Sequence, residues 1–170
     1  MHTVRIEHRI ECTPARHWEL YLDEDFTRML LTEGLGFSQP IIETLRDDDS
    51  EHWRNMEVEP QLDLPPRIQK FIKGKMGYKE KGRFDKNKEK FFLEHTTAAL
   101  GNKLHLSGDF VVVPLGEHAC RREATIRVDV RVFGIGSLIE RAIERNIHKG
   151  WNNSAQFMNS WLSQQTQAST

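Results

Sequence analysis

Cysteine is scarce in this sequence. Cys12 and Cys120 are the only two among 170 residues, too few for a disulfide framework, and both are expected to be reduced thiols. Long apolar runs are missing as well. None approaches the roughly 18 residues of a membrane span, and the opening Met1-His2-Thr3-Val4-Arg5-Ile6-Glu7 lacks the apolar core of a signal peptide. The expected location is cytoplasmic. Eight histidines are present, yet none forms His-x-His or His-Glu-x-x-His, the spacings that put two ligands on one strand or helix face. Neither a metal nor a cofactor is expected. There is no internal repeat.

What is present describes one ordinary soluble domain: 38% apolar and 29% charged residues, with a net charge of −1. The charge is unevenly divided. Residues 1–66 hold 6 Lys/Arg and 15 Asp/Glu, whereas residues 67–170 hold 18 and 10. The simplest reading is that the halves neutralise each other in the fold.

Residues 3–12 alternate, with Val4, Ile6, His8, Ile10 and Cys12 on one face, which predicts a half-buried strand. Thr13-Pro14 is an N-cap followed by proline at the first helical position. It predicts a short helix to about Leu22 that buries Trp18. Asp23 can cap a second short helix, ended by Gly34 and Gly36. Six strand signals follow, over 38–46, 51–59, 78–86, 90–98, 104–115 and 118–133, separated by turn residues. Asp63-Leu64-Pro65-Pro66 interrupts them and introduces a short amphipathic segment to Met76, with Gly74 as its stop.

The last element dominates. Ser137 with Glu140 reads as a capping box. Ile139, Ile143, Ile147, Trp151, Ala155, Met158 and Leu162 then form one stripe of a helix about 42 Å long, at about 1.5 Å per residue. Residues 163–170 are polar and predicted to be a disordered tail. Gly150-Trp151-Asn152-Asn153 are poor helix formers in mid-helix and suggest a kink. The order is one strand, two short helices, six strands and one long helix. It predicts an α+β domain over residues 1–162: a curved seven-stranded antiparallel sheet wrapped around the C-terminal helix.

This order resembles the START-like helix-grip superfamily, which includes the birch-pollen allergen, polyketide cyclases and ubiquinone-binding proteins. More narrowly, the chain resembles the bacterial domain-of-unknown-function family 2505. The carrying residues are the run from Val128-Asp129-Val130-Arg131-Val132-Phe133 through Gly134-Ile135-Gly136-Ser137-Leu138-Ile139-Glu140, then Trp161-Leu162. Leu64-Pro65-Pro66 with Phe71 and Gly74 is a second point of contact. The narrow family carries no assigned catalytic residues. The superfamily implies an apolar cavity under the long helix, and antiparallel pairing of the first and last strands, which would make Cys12 and Cys120 neighbours.

The candidate ligand site follows from that cavity and the inward phase of each element. From the sheet it comprises Ile6, His8, Tyr78, Glu80, Phe84, Leu93, His95, Leu106, Phe110, Ile126 and Val128. From the helix it takes Ile143, Ile147, Trp151 and Met158. Residues 64–76 would form a flap over one end, with Phe71 or Ile72 facing in. His8, Glu80 and His95 lie in otherwise apolar phases. Each is either a satisfied core polar group or a cavity residue that orients a polar ligand end.

The expected function is binding, and transport, of a hydrophobic small molecule or lipid. Two alternatives stand beside it. One is a cyclase- or hydrolase-like enzyme using Glu80 and a cavity histidine as acid and base. The other is a protein-interaction module with a filled core. A cavity above about 300 Å³ would favour the first two over the third. Ten Lys/Arg between Arg67 and Lys90 either guard exposed strands or contact anionic membrane transiently. Nucleic acid ranks below both, because no aromatic-rich motif accompanies the charge. The oligomeric state stays open.

Overall fold

The computed structural model describes residues 1–72 and 76–169. β1 (His2–Ile10) leads into α1 (Pro14–Leu22) and α2 (Glu24–Met29). Thr13 Oγ1 accepts from Arg16 N at 3.2 Å and Asp23 Oδ1 from Phe26 N at 2.7 Å, so each short helix is started by its own cap. A single π-helical turn, Leu30–Gly34, ends α2, and Gly36 follows at φ 68°. Then come β2 (Ile41–Asp47), β3 (Glu51–Val58), the one-turn α3 (Pro66–Gln69), β4 (Tyr78–Asp85), β5 (Lys90–Thr97), β6 (Leu104–Pro114), β7 (Cys120–Val130) and α4 (Gly136–Ala168).

The seven strands form one antiparallel sheet in the order β1-β7-β6-β5-β4-β3-β2. The register runs from His2 opposite Val128 to Ile10 opposite Cys120. This places Cys12 just beyond Cys120. Both are buried free thiols, and a hydrogen bond with Cys120, together with burial, pushes the Cys12 thiol up. α4 lies over β1 and β7 and meets the π-helical turn.

Several expectations are corrected here. The capping box does not form. The helix begins one residue earlier, at Gly136, with Ile135 in the cap position and accepting from Leu138 N and Ile139 N at 3.0 Å. Ser137 is therefore already inside the first turn. The tail expected over 163–170 instead continues the helix to Ala168. Its Thr166 and Ser169 hydroxyls bond back to the carbonyls four residues earlier, so these polar side chains join the helix rather than compete with it. The helix runs unbroken through Gly150. Gly74 lies outside the described residues.

Part of the uneven charge is met by ion pairs across the sheet. Lys79 meets Glu57 at 2.6 Å, Arg83 meets Glu51 at 2.9 Å, Lys86 meets Asp47 at 2.6 Å and Lys90 meets Asp109 at 2.7 Å. Among the described residues, three of the ten Lys/Arg of the 67–90 segment are thus paired with acids of residues 1–66, and Lys90 with an acid of β6. No helix among the described residues is long and apolar enough to cross a membrane.

Candidate functional site

The inward face of the sheet is a set of rows, and two of them decide where a cavity exists. The register aligns Phe84, Phe91, Phe110, Ala124 and Ile6 across five strands. α1 lays Trp18 and Tyr21 onto this row. The Trp18 ring stands 4.3 Å from Phe84 and 5.1 Å from Phe110, and Tyr21 stands 5.1 Å from Phe91. That end is solid. On the row four residues along, Met56, Glu80, His95 and Leu106, no ring of α1 stacks among the described residues. There a cavity of about 230 Å³ opens between the sheet and the middle of α4.

Nine candidates line this cavity: Tyr78, Glu80, Leu93, His95, Leu106, Ile126, Ile143, Ile147 and Trp151. The others lie elsewhere. Ile6, Phe84 and Phe110 belong to the solid aromatic end, and Val128 is wholly buried in the same core. Met158 is wholly buried on the far half of α4, where Phe26 packs against Trp161 at 5.1 Å and closes the space. Phe71 is 56% exposed, because α3 ends at Gln69 and the chain turns outward after one turn. Its neighbour Ile72 is half-buried and lines an outer recess of about 350 Å³. This recess shares Pro60, Leu62, Leu64 and Met76 with the inner cavity. Asn146 fastens that shared wall to α4, accepting from Asp63 N and donating to Asp63 O, both at 3.0 Å. Gly150 faces the cavity too, with nothing within 4 Å of where a Cβ would stand.

The polar part of the wall has two centres. Glu80, 5% exposed, accepts from His95 Nε2 at 2.8 Å, and Tyr78 stacks on the His95 ring at 4.4 Å. Arg54, 3% exposed, approaches Glu80 at 3.7 Å and donates to Tyr21 O at 2.8 Å and Thr27 Oγ1 at 3.3 Å. Burial pushes the Glu80 carboxyl up. The His95 hydrogen bond and the His95 and Arg54 charges outweigh that, and it ends below its ordinary value.

Arg122 is the second centre. Its guanidinium donates to Ser154 Oγ at 3.2 Å, Trp151 O at 3.1 Å and His8 Nδ1 at 3.4 Å, and lies 4.6 Å from the Trp151 ring centroid. His8 is therefore beside the cavity, not in its wall. Its Nε2–H donates to Asn152 Oδ1 at 2.7 Å, which leaves Nδ1 free to accept from Arg122 and fixes the neutral ring. Burial, and then the Arg122 charge beyond what the Asn152 bond restores, lowers the His8 pKa.

Arg54 and Arg122 were not among the candidates drawn from the sequence. The signal was there: each sits two residues before an inward apolar residue, Met56 or Ala124. Trp53, in the intervening phase of β3, lies on its exposed face.

An antiparallel sheet gripping one long helix, with an apolar cavity between them, defines the START-like helix-grip class. The solved structures agree. A START superfamily protein from Mycobacterium smegmatis superposes with a TM-score of 0.63 at 12% identity, covering 95% of this chain and 99% of its own. The Zhui aromatase/cyclase from Streptomyces gives 0.61 at 14%, covering 92% and 94%. Norcoclaurine synthase from Thalictrum flavum gives 0.63 at 13%, covering 96% and 87%. Likeness at these identities shows the fold. In sequence, residues 5–162 match the family described as "Protein of unknown function (DUF2505)", and the chain belongs to that family. No curated protein matches the sequence.

Proposed function

We propose that the protein binds a hydrophobic small molecule or lipid in the cavity between α4 and the sheet. One observation carries this reading: the space left where α1 ends its cover of the sheet is walled mainly by apolar side chains, yet has Glu80, His95, Arg54 and Arg122 set into it. Apolar walls with a few convergent polar groups are the usual make-up of a ligand site. At about 230 Å³ the inner cavity alone falls below the roughly 300 Å³ that separates a ligand site from a filled interaction module, and it passes that mark only together with the outer recess of about 350 Å³ that shares its wall. The ligand is then either small or extends past Leu62 and Leu64 into the outer recess. The fold neighbour norcoclaurine synthase is described in complex with dopamine and hydroxybenzaldehyde, molecules of this small size.

The test is N-phenyl-1-naphthylamine, a neutral apolar probe that brightens out of water. Its entry should raise the fluorescence of the probe itself, and the Ile147→Trp protein, with its larger side chain in the cavity wall, should lose most of that rise. An undiminished rise in that variant would remove the site from this cavity.

The Glu80–His95 pair, at 2.8 Å in the cavity wall, supports a second reading as a proton-abstracting enzyme. Because its carboxyl is held low, Glu80 is the base of such a pair and not the acid. Deuterium exchange at the acidic carbon of a bound aryl ketone, lost in Glu80→Gln, would establish it. No exchange above buffer would dismiss it.

A further inference from the structure

We infer that the ligand is a monoanionic amphiphile: an apolar body with one carboxylate, received by Arg122. This rests on the binding reading above and adds the chemical class of the ligand.

The charges in the wall do not balance. Arg54 and Glu80 stand 3.7 Å apart and offset each other. Arg122 is left over. It is 1% exposed, and all three of its hydrogen-bond partners are neutral: a serine hydroxyl, a backbone carbonyl and the unprotonated nitrogen of His8. Its Nε has no hydrogen-bond partner among the described residues. No carboxylate among the described residues lies within ion-pair reach of it. Burial pulls its pKa down to about 10, which leaves the guanidinium charged at neutral pH.

Burying a charge without a counter-charge is costly, and proteins normally pair it. Arg54, in the same wall, shows what this fold does with a structural arginine: it is given an acid. Arg122 is given only orientation. Trp151 lies along its face, Ser154 and the Trp151 carbonyl hold its terminal nitrogens, and the His8–Asn152 relay ties it to α4. A guanidinium held in place but not neutralised is complementary to an incoming anion, and Nε–H and one Nη1–H are not engaged by Ser154, Trp151 or His8. With Glu80 already shared by Arg54 and His95, the one guanidinium of the wall without an acid beside it among the described residues calls for an anionic group of the ligand at Arg122. The apolar remainder of the wall calls for an apolar body on it.

The experiment compares decanoate with decan-1-ol, matched in chain and different in charge, as displacers of N-phenyl-1-naphthylamine at neutral pH. A charged hydrogen bond formed in a buried site should favour decanoate by roughly tenfold or more. The Arg122→Met protein, similar in volume and without charge, should bring the two to within about twofold, with decan-1-ol little affected. Equal displacement by the two in the native protein, or a preference that survives Arg122→Met, overturns the proposal. Should that variant not fold, the native protein still decides. Decanoate labelled at its carboxyl carbon should titrate by NMR at least about one pH unit lower when bound than when free, as a carboxylate beside a guanidinium does. An unchanged or raised value overturns the proposal. If the neutral probe itself fails to enter, the binding reading falls first. If it enters and charge makes no difference, only this inference falls.

Discussion

Replacing Glu80 with glutamine should cost about 3 kcal/mol of stability. The substitution keeps the shape of the side chain and an oxygen that can still accept from His95, so what it removes is charge. Arg54 is then a buried guanidinium whose remaining partners are Tyr21 O and Thr27 Oγ1, both neutral. At 3.7 Å the Coulomb attraction is about 4.5 kcal/mol for an effective dielectric constant of about 20. Removing one member of a buried pair typically costs about 3–5 kcal/mol. The lower end applies because Glu80 Oε1 makes no hydrogen bond, so the contact is charge against charge without a shared proton. In a urea titration followed by circular dichroism, with a slope of about 2 kcal/mol per molar, the midpoint should fall by about 1.5 M with the slope unchanged. The double variant Glu80→Gln/Arg54→Met should recover most of that loss, since no charge is then stranded. A loss below about 1 kcal/mol in the single variant would refute the reasoning. So would a double variant as unstable as the two single variants added together.

Gly150 offers a test that separates helix from cavity. A methyl there meets open space, so Gly150→Ala should stabilise by about 0.5–1 kcal/mol. Gly150→Leu should leave the fold intact yet fill the cavity and abolish uptake of the neutral probe; undiminished uptake would place the binding space elsewhere. His17 predicts the acid limb of stability. It is completely buried, both ring nitrogens lack partners, and burial followed by the Arg122 charge depresses its pKa from 6.5 to about 3. The unfolded chain therefore takes up a proton below pH 6.5 that the folded protein refuses, and stability falls with pH between 6.5 and about 3, by up to about 1.4 kcal/mol per unit. His17→Phe should flatten this limb in urea midpoints measured across that range. Equal slopes in the two proteins would show that other groups carry it.

The sequence made the element order readable because each element carried its own punctuation: Thr13-Pro14 and Asp23 at helix starts, and strict alternation in β1 and β7. The phase of each strand was equally legible, and it correctly put Tyr78, Glu80, Leu93 and His95 on one face. Depth along that face was not. Phe84 and Phe110 share their phase with cavity residues and differ only in lying under α1, a relation between elements that no local pattern records. Charge misled for the opposite reason. An arginine in a strand reads as a surface residue, and Arg54 and Arg122 are interior because their neighbours two positions along are.

The pairing of β1 with β7 also bears on how the domain forms. Among the described residues, the first strand finds its only neighbour in the sheet more than a hundred residues later. Hairpins from β2 to β7 can assemble stepwise from local turns, but β1 must wait, its apolar face uncovered, until the sheet has grown across to it. Closing a loop of that length costs entropy before any contact repays it. The same late step brings Asn159 of α4 onto the backbone of Arg9 and Glu11. Docking of β1 and seating of the long helix are therefore expected to be one slow event, and the cavity exists only after it.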